Sequence, residues 1–296
     1  MVGSEGGPRR ALVVGEALID SRPTGRVVAG APVHVAAQLR VLGWEVWLLS
    51  AIGRDADGDW VAETLDALGV GTRLLQRAAG LPTPVADVRA DGSFGIATLG
   101  AFGALEVPPD LPPHELLVWS PLVGWGEGGL ARLGALLERT RAGTRVFDVN
   151  LRPPYVDRAV LRCSIQAATL VKTSRHETPT VLEALGVPAS EGLGGCFARA
   201  EHLRALCESA GDEGARLLLA DGGELAERAY PVEVVDEVGA GDALTAGLAH
   251  AFALALEPGA ALRLGLERSA GVLSQPGGLP LEAPLEARRL AGVAGP

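Results

Sequence analysis

The stretch EVVDEVGAGD, residues 233–242, runs directly into ALTAGLAHAFALAL, residues 243–256, a segment with hardly a polar atom in it. The apolar run holds His250 and falls short of the roughly 20 residues that cross a bilayer, so it reads as a buried helix in which the imidazole is packed. A helix that starts near Gly241 or Asp242 leaves backbone N–H groups without intrahelical partners in its first turn. Gly239, Ala240 and Gly241 carry no side chain large enough to keep an anion away from those groups. Asp242 at this mouth has two readings. It caps the helix, a role that stabilises by about 1 kcal/mol, or it takes a proton from a hydroxyl that attacks a phosphoryl group while the N–H groups neutralise the transferring oxygens. The four residues GAGD leave both open.

Outward from this point the chain alternates strand and helix patterns. Strands are expected at Arg10–Gly15, Val46–Leu49, Leu116–Trp119, Arg145–Asp148, Ala168–Val171 and Arg216–Leu219, and helices at Val33–Leu42, Asp59–Leu68, Leu130–Arg141, Thr178–Leu185 and Cys196–Ala210. Such a repeat predicts a single α/β domain over residues 1–296, a three-layer sandwich about a mostly parallel central sheet. Short, glycine-interrupted strands within 16–32 and 83–105, with a hairpin at Asp91-Gly92, predict a small β lid outside those layers. Ligands of open α/β sheets bind at the carboxyl ends of the strands. Several of the expected strands end in polar residues: Glu16 and Asp20, then Asp148, Asn150 and Arg152, then Lys172, Ser174 and Glu177.

Composition narrows the function. A net charge of -10 and the absence of any basic run interleaved with aromatics argue against nucleic acid as partner. The N-terminus MVGSEGGPRR does not resemble a secretion signal. Cys163, Cys196 and Cys207 are odd in number and lack zinc or CxxC spacing, which suits free thiols in a reducing cytoplasm and a cytoplasmic location without membrane attachment. There is no GxxxxGK[ST], no GxGxxG after the first strand and no HExxH. Asp55, Asp57 and Asp59 imitate a calcium loop but lack its later Glu, and a solvated turn before a helix accounts for them. Asn and Lys occur once each, as Asn150 and Lys172, both at expected strand ends.

Taken together, AGAPVHVA (29–36), AIGRDADGD (51–59), FDVNLRPPY (147–155), LVKTSRHET (170–178) and VVDEVGAGDALTAG (234–247) resemble, in order and spacing, the ribokinase-like or PfkB family of ATP-dependent sugar kinases. The fructokinase-like and 2-keto-3-deoxygluconate kinase-like members are the nearest. The resemblance spans essentially the whole chain. It implies phosphoryl transfer from ATP to a hydroxyl of a small sugar, with Mg2+ and in some members a monovalent cation such as K+, and a lid that closes over the sugar. Separately, the lid offers a surface for a homodimer if its outer face is apolar, with Val85, Val88, Phe94 and Ile96 as the material. The resemblance makes Asp242 the base and Gly239, Ala240 and Gly241 the anion hole. Asp20, Gly30, His34, Asn150 and Arg152 fall on the substrate side, Lys172, Ser174, Asp221, Gly223 and Val238 on the nucleotide side, and Glu177 beside the metal.

Each of these has a plainer reading. Asp20 ends a strand, Glu177 caps the helix from Thr178, and Arg152 forms a surface ion pair. The chain also departs from the family pattern. Ala29-Gly30 stands for a pair of glycines, His34 for an Asn, Ser174 for the Asn of an NxxE motif, and Glu237-Val238 for two threonines. In place of a Thr-x-Gly-x-x-Gly turn stands Leu219-Ala-Asp-Gly-Gly223, and Arg268-Ser269 stand near the place of a late Asn. The competing expectation is accordingly a sugar- or nucleotide-binding protein of the same fold with little or no kinase activity.

Overall fold

The computed structural model describes residues 7–89 and 94–293. The chain opens with β1 (Arg10–Val14), β2 (Leu18–Arg22), β3 (Gly25–Ala29), α1 (Ala31–Val41), β4 (Glu45–Gly53), α2 (Ala56–Ala67), β5 (Leu75–Ala78), β6 (Val85–Val88) and β7 (Phe94–Ile96). It continues through β8 (Leu116–Trp119), α3 (Gly129–Arg139), β9 (Thr144–Asp148), α4 (Arg158–Ala167), β10 (Leu170–Ser174) and α5 (Thr178–Leu185). It ends with β11 (Ala205–Ser209), β12 (Ala215–Leu219), β13 (Glu224–Glu227), α6 (Ala240–Ala253), α7 (Pro258–Leu273) and α8 (Leu285–Leu290).

Nine strands form one sheet in the order β13-β12-β11-β10-β9-β8-β1-β4-β5. The seven from β11 to β5 are parallel, and β12 and β13 close one edge as antiparallel strands. The central strands are buried on both faces, so they are mostly apolar, and their side chains still alternate. Ala11 and Val13 of β1 and Leu116 and Val118 of β8 join the apolar layer that also holds residues of α1, α2, α6 and α7. Leu12, Val14, Leu117 and Trp119 join the opposite layer, with residues of α3, α4 and α5. This two-sided burial produces the three layers.

A second sheet of four strands, β3-β2-β6-β7, stands apart from the first. It is tied to the body through Val28 N–H to the Ala291 carbonyl (2.9 Å) and through an ion pair from Arg22 Nη1 to Asp236 Oδ2 (2.8 Å). Three of the apolar residues considered for its outer face are used inward: Ile96 is buried in a core layer, Val85 packs against the other, and Val88 lines a cavity. The turn at Asp91-Gly92 lies outside the described residues.

One expected element is wrong. Cys196–Ala210 is not a helix: short 3-10 turns run through Ala189–Arg199, and Ala205–Ser209 is a central strand. The run Ala-Leu-Cys is fully buried and paired on both sides, and over so few residues its apolar spacing does not distinguish a helix from a buried strand. The strand expected at Ala168–Val171 lies two to three residues later, so Lys172 and Ser174 belong to β10 itself.

Candidate active site

The helix α6 begins at Ala240, with Gly239 as N-cap at φ +82°. A Cβ at Gly239 would lie 2.5 Å from the Cα of Gly278, so both the backbone conformation and the close approach of another loop demand glycine. No side chain caps this helix. Asp242 turns away from the free N–H groups, and its Oδ2 lies 2.8 Å from Nδ1 of His34. The capping reading of Asp242 is therefore not the arrangement found.

A cavity of about 290 Å³ opens in front of this carboxylate. Asp20 comes to it from β2, Gly30 and His34 from the start of α1, Asn150 and Arg152 from the loop after β9, Lys172 from β10, and Val238, Gly239 and Gly241 from the turn before Asp242. The fold thus gathers at one place all the residues expected on the substrate side, together with Lys172 and Val238. Asn150 has φ +27°, a left-handed conformation that Asn tolerates better than most side chains. That gives the chain's single Asn a backbone reason, and its buried Nδ2 has no protein partner.

The chain's single Lys lies beneath the glycine turn. A Cβ at Gly241 would stand 3.1 Å from Lys172 Nζ, and Nζ is 3.3 Å from Asp148 Oδ1. The other Asp148 oxygen accepts from Thr245 Oγ1 of α6 at 2.7 Å. Burial is the main influence on Asp148 and raises its pKa to about 6 against the pull of Lys172. Asp242 goes the other way. Burial pushes it up, but the His34 hydrogen bond and the charges of His34, Arg152 and Lys172 outweigh that and hold it below the ordinary Asp value. It is a carboxylate at neutral pH. Burial raises Asp20, against His34 and Arg22, and raises Glu16, whose Oε2 accepts from Ser120 Oγ.

A second cavity of about 520 Å³ lies on the other side of the same turn. Glu237 and Gly241 line both cavities, and Ala240 lines the second. Its walls include Ser209, Gly211 and Gly214 from the turn after β11, Tyr230 and Val234 from the segment before α6, and Leu266, Ser269 and Leu273 of α7.

None of the five expected nucleotide-side residues lines this second cavity: Lys172 and Val238 line the first, and Ser174 lines neither. Asp221 and Gly223 form the exposed β12–β13 hairpin, where Asp221 Oδ1 accepts from Gly223 N–H at 2.9 Å. Because β12 runs antiparallel to β11, this hairpin lies at the opposite end of the strands from the cavity. What borders the cavity instead is Ser209-Ala-Gly-Asp-Glu-Gly214, a Ser-x-Gly-x-x-Gly turn. The pattern stands in the sequence with Ser for Thr, and the mistaken helix over Cys196–Ala210 concealed it. Val238 lines the first cavity rather than the second.

Glu177 occupies the N-cap position of α5 without capping it. Its oxygens accept from Leu151 N–H (2.6 Å), Ser174 N–H (2.8 Å) and Ser174 Oγ (2.9 Å), which ties the ends of β9 and β10 together. Among the described residues no three His, Cys, Asp or Glu side chains converge as a metal-binding group. Asp55 caps α2, accepting from Gly58 N–H and from Thr83, which accounts for the aspartates that imitate a calcium loop. His250 Nδ1 accepts from Trp44 Nε1 at 3.0 Å, a packed imidazole. Of the described helices, none is long and apolar enough to cross a membrane.

Comparison with known proteins sharpens this geometry. The family model described as pfkB family carbohydrate kinase matches residues 14–283. The bifunctional protein HldE of Pseudomonas paraeruginosa is 29% identical over 307 aligned positions, covering 94% of this chain and 62% of that protein. The chain thus spans less than two thirds of that relative. The aminoimidazole riboside kinase of Salmonella typhimurium is 29% identical over 261 positions, covering 80% of this chain and 78% of the relative. Among solved structures, a fructokinase from Xylella fastidiosa with bound ATP superposes with a TM-score of 0.82 at 20% identity, over 95% of this chain and 98% of that one.

Proposed function

From the premise that the chain belongs to the pfkB family of carbohydrate kinases, we propose that it transfers a phosphoryl group from ATP to a hydroxyl of a small sugar. Fructose or a 2-keto-3-deoxy sugar acid is the favoured acceptor. The observation that carries the reading is the position of the α6 N-terminus, whose glycine turn borders two cavities at once, with the ionised Asp242 facing the smaller one.

The smaller cavity suits a sugar, since Asp20, Asn150 and Arg152 supply acceptors and donors for hydroxyl groups. Asp242 takes the proton of the acceptor hydroxyl as its oxygen bonds to phosphorus and the bond to the departing ADP oxygen breaks. The free N–H groups of the first turn of α6 and the Lys172 ammonium stabilise the charge on the transferring oxygens. The larger cavity has apolar walls for a base and, in Ser209–Gly214, small residues that let phosphates approach the backbone. Mg2+ would neutralise phosphate charge. Because the Glu177 oxygens are already engaged by three donors, that residue contributes negative charge through water rather than a direct bond.

The test is release of ADP by purified protein given Mg-ATP and a panel of fructose, 2-keto-3-deoxygluconate, ribose and nucleosides, with and without potassium. Release that depends on an acceptor, and a fall of roughly 10²–10⁴-fold in Asp242→Asn with the fold intact, are the expected results. If every acceptor fails while ligands still raise the melting temperature, the protein binds without transferring. If Asp242→Asn keeps near-normal turnover, the base is another group.

A further inference from the structure

An aspartate in the first turn of an uncapped helix tends to fold back onto the free N–H groups, where its carboxylate is stabilised. Asp242 does not do so, and one hydrogen bond accounts for the difference. His34 lies in the first turn of α1, 208 residues away in sequence, 4% exposed, with Nδ1 2.8 Å from Asp242 Oδ2. Its ring is wedged in place from the other side: a Cβ on Gly278 would come within 2.5 Å of Cε1 and 2.6 Å of Nε2. The same Gly278 packs against Gly239, so the loop that fixes the imidazole also fixes the glycine turn. An ionised carboxylate has no hydrogen to offer, and the network therefore puts the proton on Nδ1.

We propose that His34 is a positioning residue for the phosphoryl-transfer base. It occupies Oδ2 of Asp242, holds the carboxylate off the helix N–H groups, and leaves Oδ1 to receive the acceptor's proton. The proposal rests on Asp242 being that base. It differs from the expectation that His34 contacts the sugar. A residue that acts through Asp242 changes turnover, whereas one that holds substrate changes apparent affinity. A charge-assisted hydrogen bond of this kind is among the stronger ones, and its loss frees a group whose aim must be held closely.

The other charged groups around the pair are Glu16 after β1, Asp20 and Arg22 on β2, Asp148 at the end of β9, Arg152 in the loop after it, Lys172 on β10 and Glu237 in the turn before α6. All remain in a His34 variant, so a change in the pH profile belongs to His34. Its hydrogen bond is among the influences that hold Asp242 low. Without it the acid limb of kcat/KM moves to higher pH.

The experiment uses the full chain with Mg-ATP and whichever acceptor supports ADP release, comparing His34→Leu, His34→Asn, Asp242→Asn and the double variant His34→Leu/Asp242→Asn. His34→Leu is expected to lose about 10–100-fold in kcat, with acceptor KM changed less than about threefold and the acid limb displaced upward. His34→Asn, whose amide N–H can still reach Oδ2, recovers most of the rate. The double variant is no slower than Asp242→Asn alone. Unfolding midpoints separate these effects from loss of fold, and if His34→Leu does not fold, His34→Asn against His34→Gln carries the comparison of kcat, KM and pH limb. A rise in acceptor KM with kcat and the acid limb unchanged, or losses that multiply in the double variant, overturns the positioning role. Near-normal turnover in Asp242→Asn instead overturns the base assignment on which it rests.

Discussion

At the residue scale the candidate site is a set of charges whose meaning depends on neighbours remote in sequence. Asp242 and Asp148 are both buried aspartates, yet one is held low by His34, Arg152 and Lys172 while the other is raised to about 6 chiefly by burial. Nothing within GAGD or FDVN separates them. The sequence left Asp242 between cap and base because its partner, His34, is 208 residues away. Asn150 and Lys172, by contrast, stood out through their rarity alone, and both line the cavity. Asp148 carries a prediction for stability. Its native pKa lies above the roughly 3.9 of an unfolded chain, so between about pH 4 and 6 the native state binds more protons, and stability falls as pH rises through that window. Asp148→Asn lacks this contribution. Its urea midpoint, converted to free energy, should gain on the wild type by about 2 kcal/mol from pH 4 to pH 6, and by only about 0.5 kcal/mol more above it. A difference that does not vary across the window would mean that Asp148 is not raised.

At the element scale, the legible parts were those whose end signals were local. The strand Leu116–Trp119 and the helix Thr178–Leu185 stand where the pattern put them. Gly186, in the left-handed conformation, ends that helix as a C-terminal glycine should. The region 196–210 misled because a short buried strand and a helix share the same apolar residues, and the Ser209–Gly214 turn that lines the larger cavity was lost with it. The long apolar α6 was legible as buried, but not what it buries against. It crosses α7 so closely that a Cβ on Gly247 would lie 2.7 Å from Gly265 Cα. Backbone cannot rotate away as a side chain can, so Gly247→Ala should be destabilised by about 1–3 kcal/mol from overpacking, less about 1 kcal/mol regained from helix preference. Gly134 in α3 has nothing within 4 Å of its would-be Cβ. There the same change should stabilise, by about 0.5–1 kcal/mol. Urea unfolding of the two variants side by side checks the contrast. Equal effects at both sites would show that the α6–α7 contact is looser than 2.7 Å implies.

At the scale of the whole molecule, alternation of strand and helix made the three layers predictable, since it follows from two-sided burial of each strand. Where the two cavities would meet was not predictable. That depends on α6 being directed so that its N-terminus comes to lie among the carboxyl ends of β9 and β10, with Lys172 below and Gly278 above. The arrangement has a kinetic consequence. Glu237 and Gly241 border both cavities, so on the proposed function donor and acceptor would occupy the two sides of one turn together. A covalent phospho-enzyme would need a nucleophile at that turn. The carboxylates there are Glu237 and Asp242, and Asp242 has one oxygen engaged by His34. If the proposed function holds, direct transfer in a ternary complex is the route this arrangement favours. Initial rates measured over a grid of ATP and acceptor concentrations should give intersecting lines in double-reciprocal form. Exchange of label between ADP and ATP should be absent without acceptor. Parallel lines, or exchange in the acceptor's absence, would require a phosphorylated side chain, with Asp242 or Glu237 acting as a nucleophile, and would overturn direct transfer.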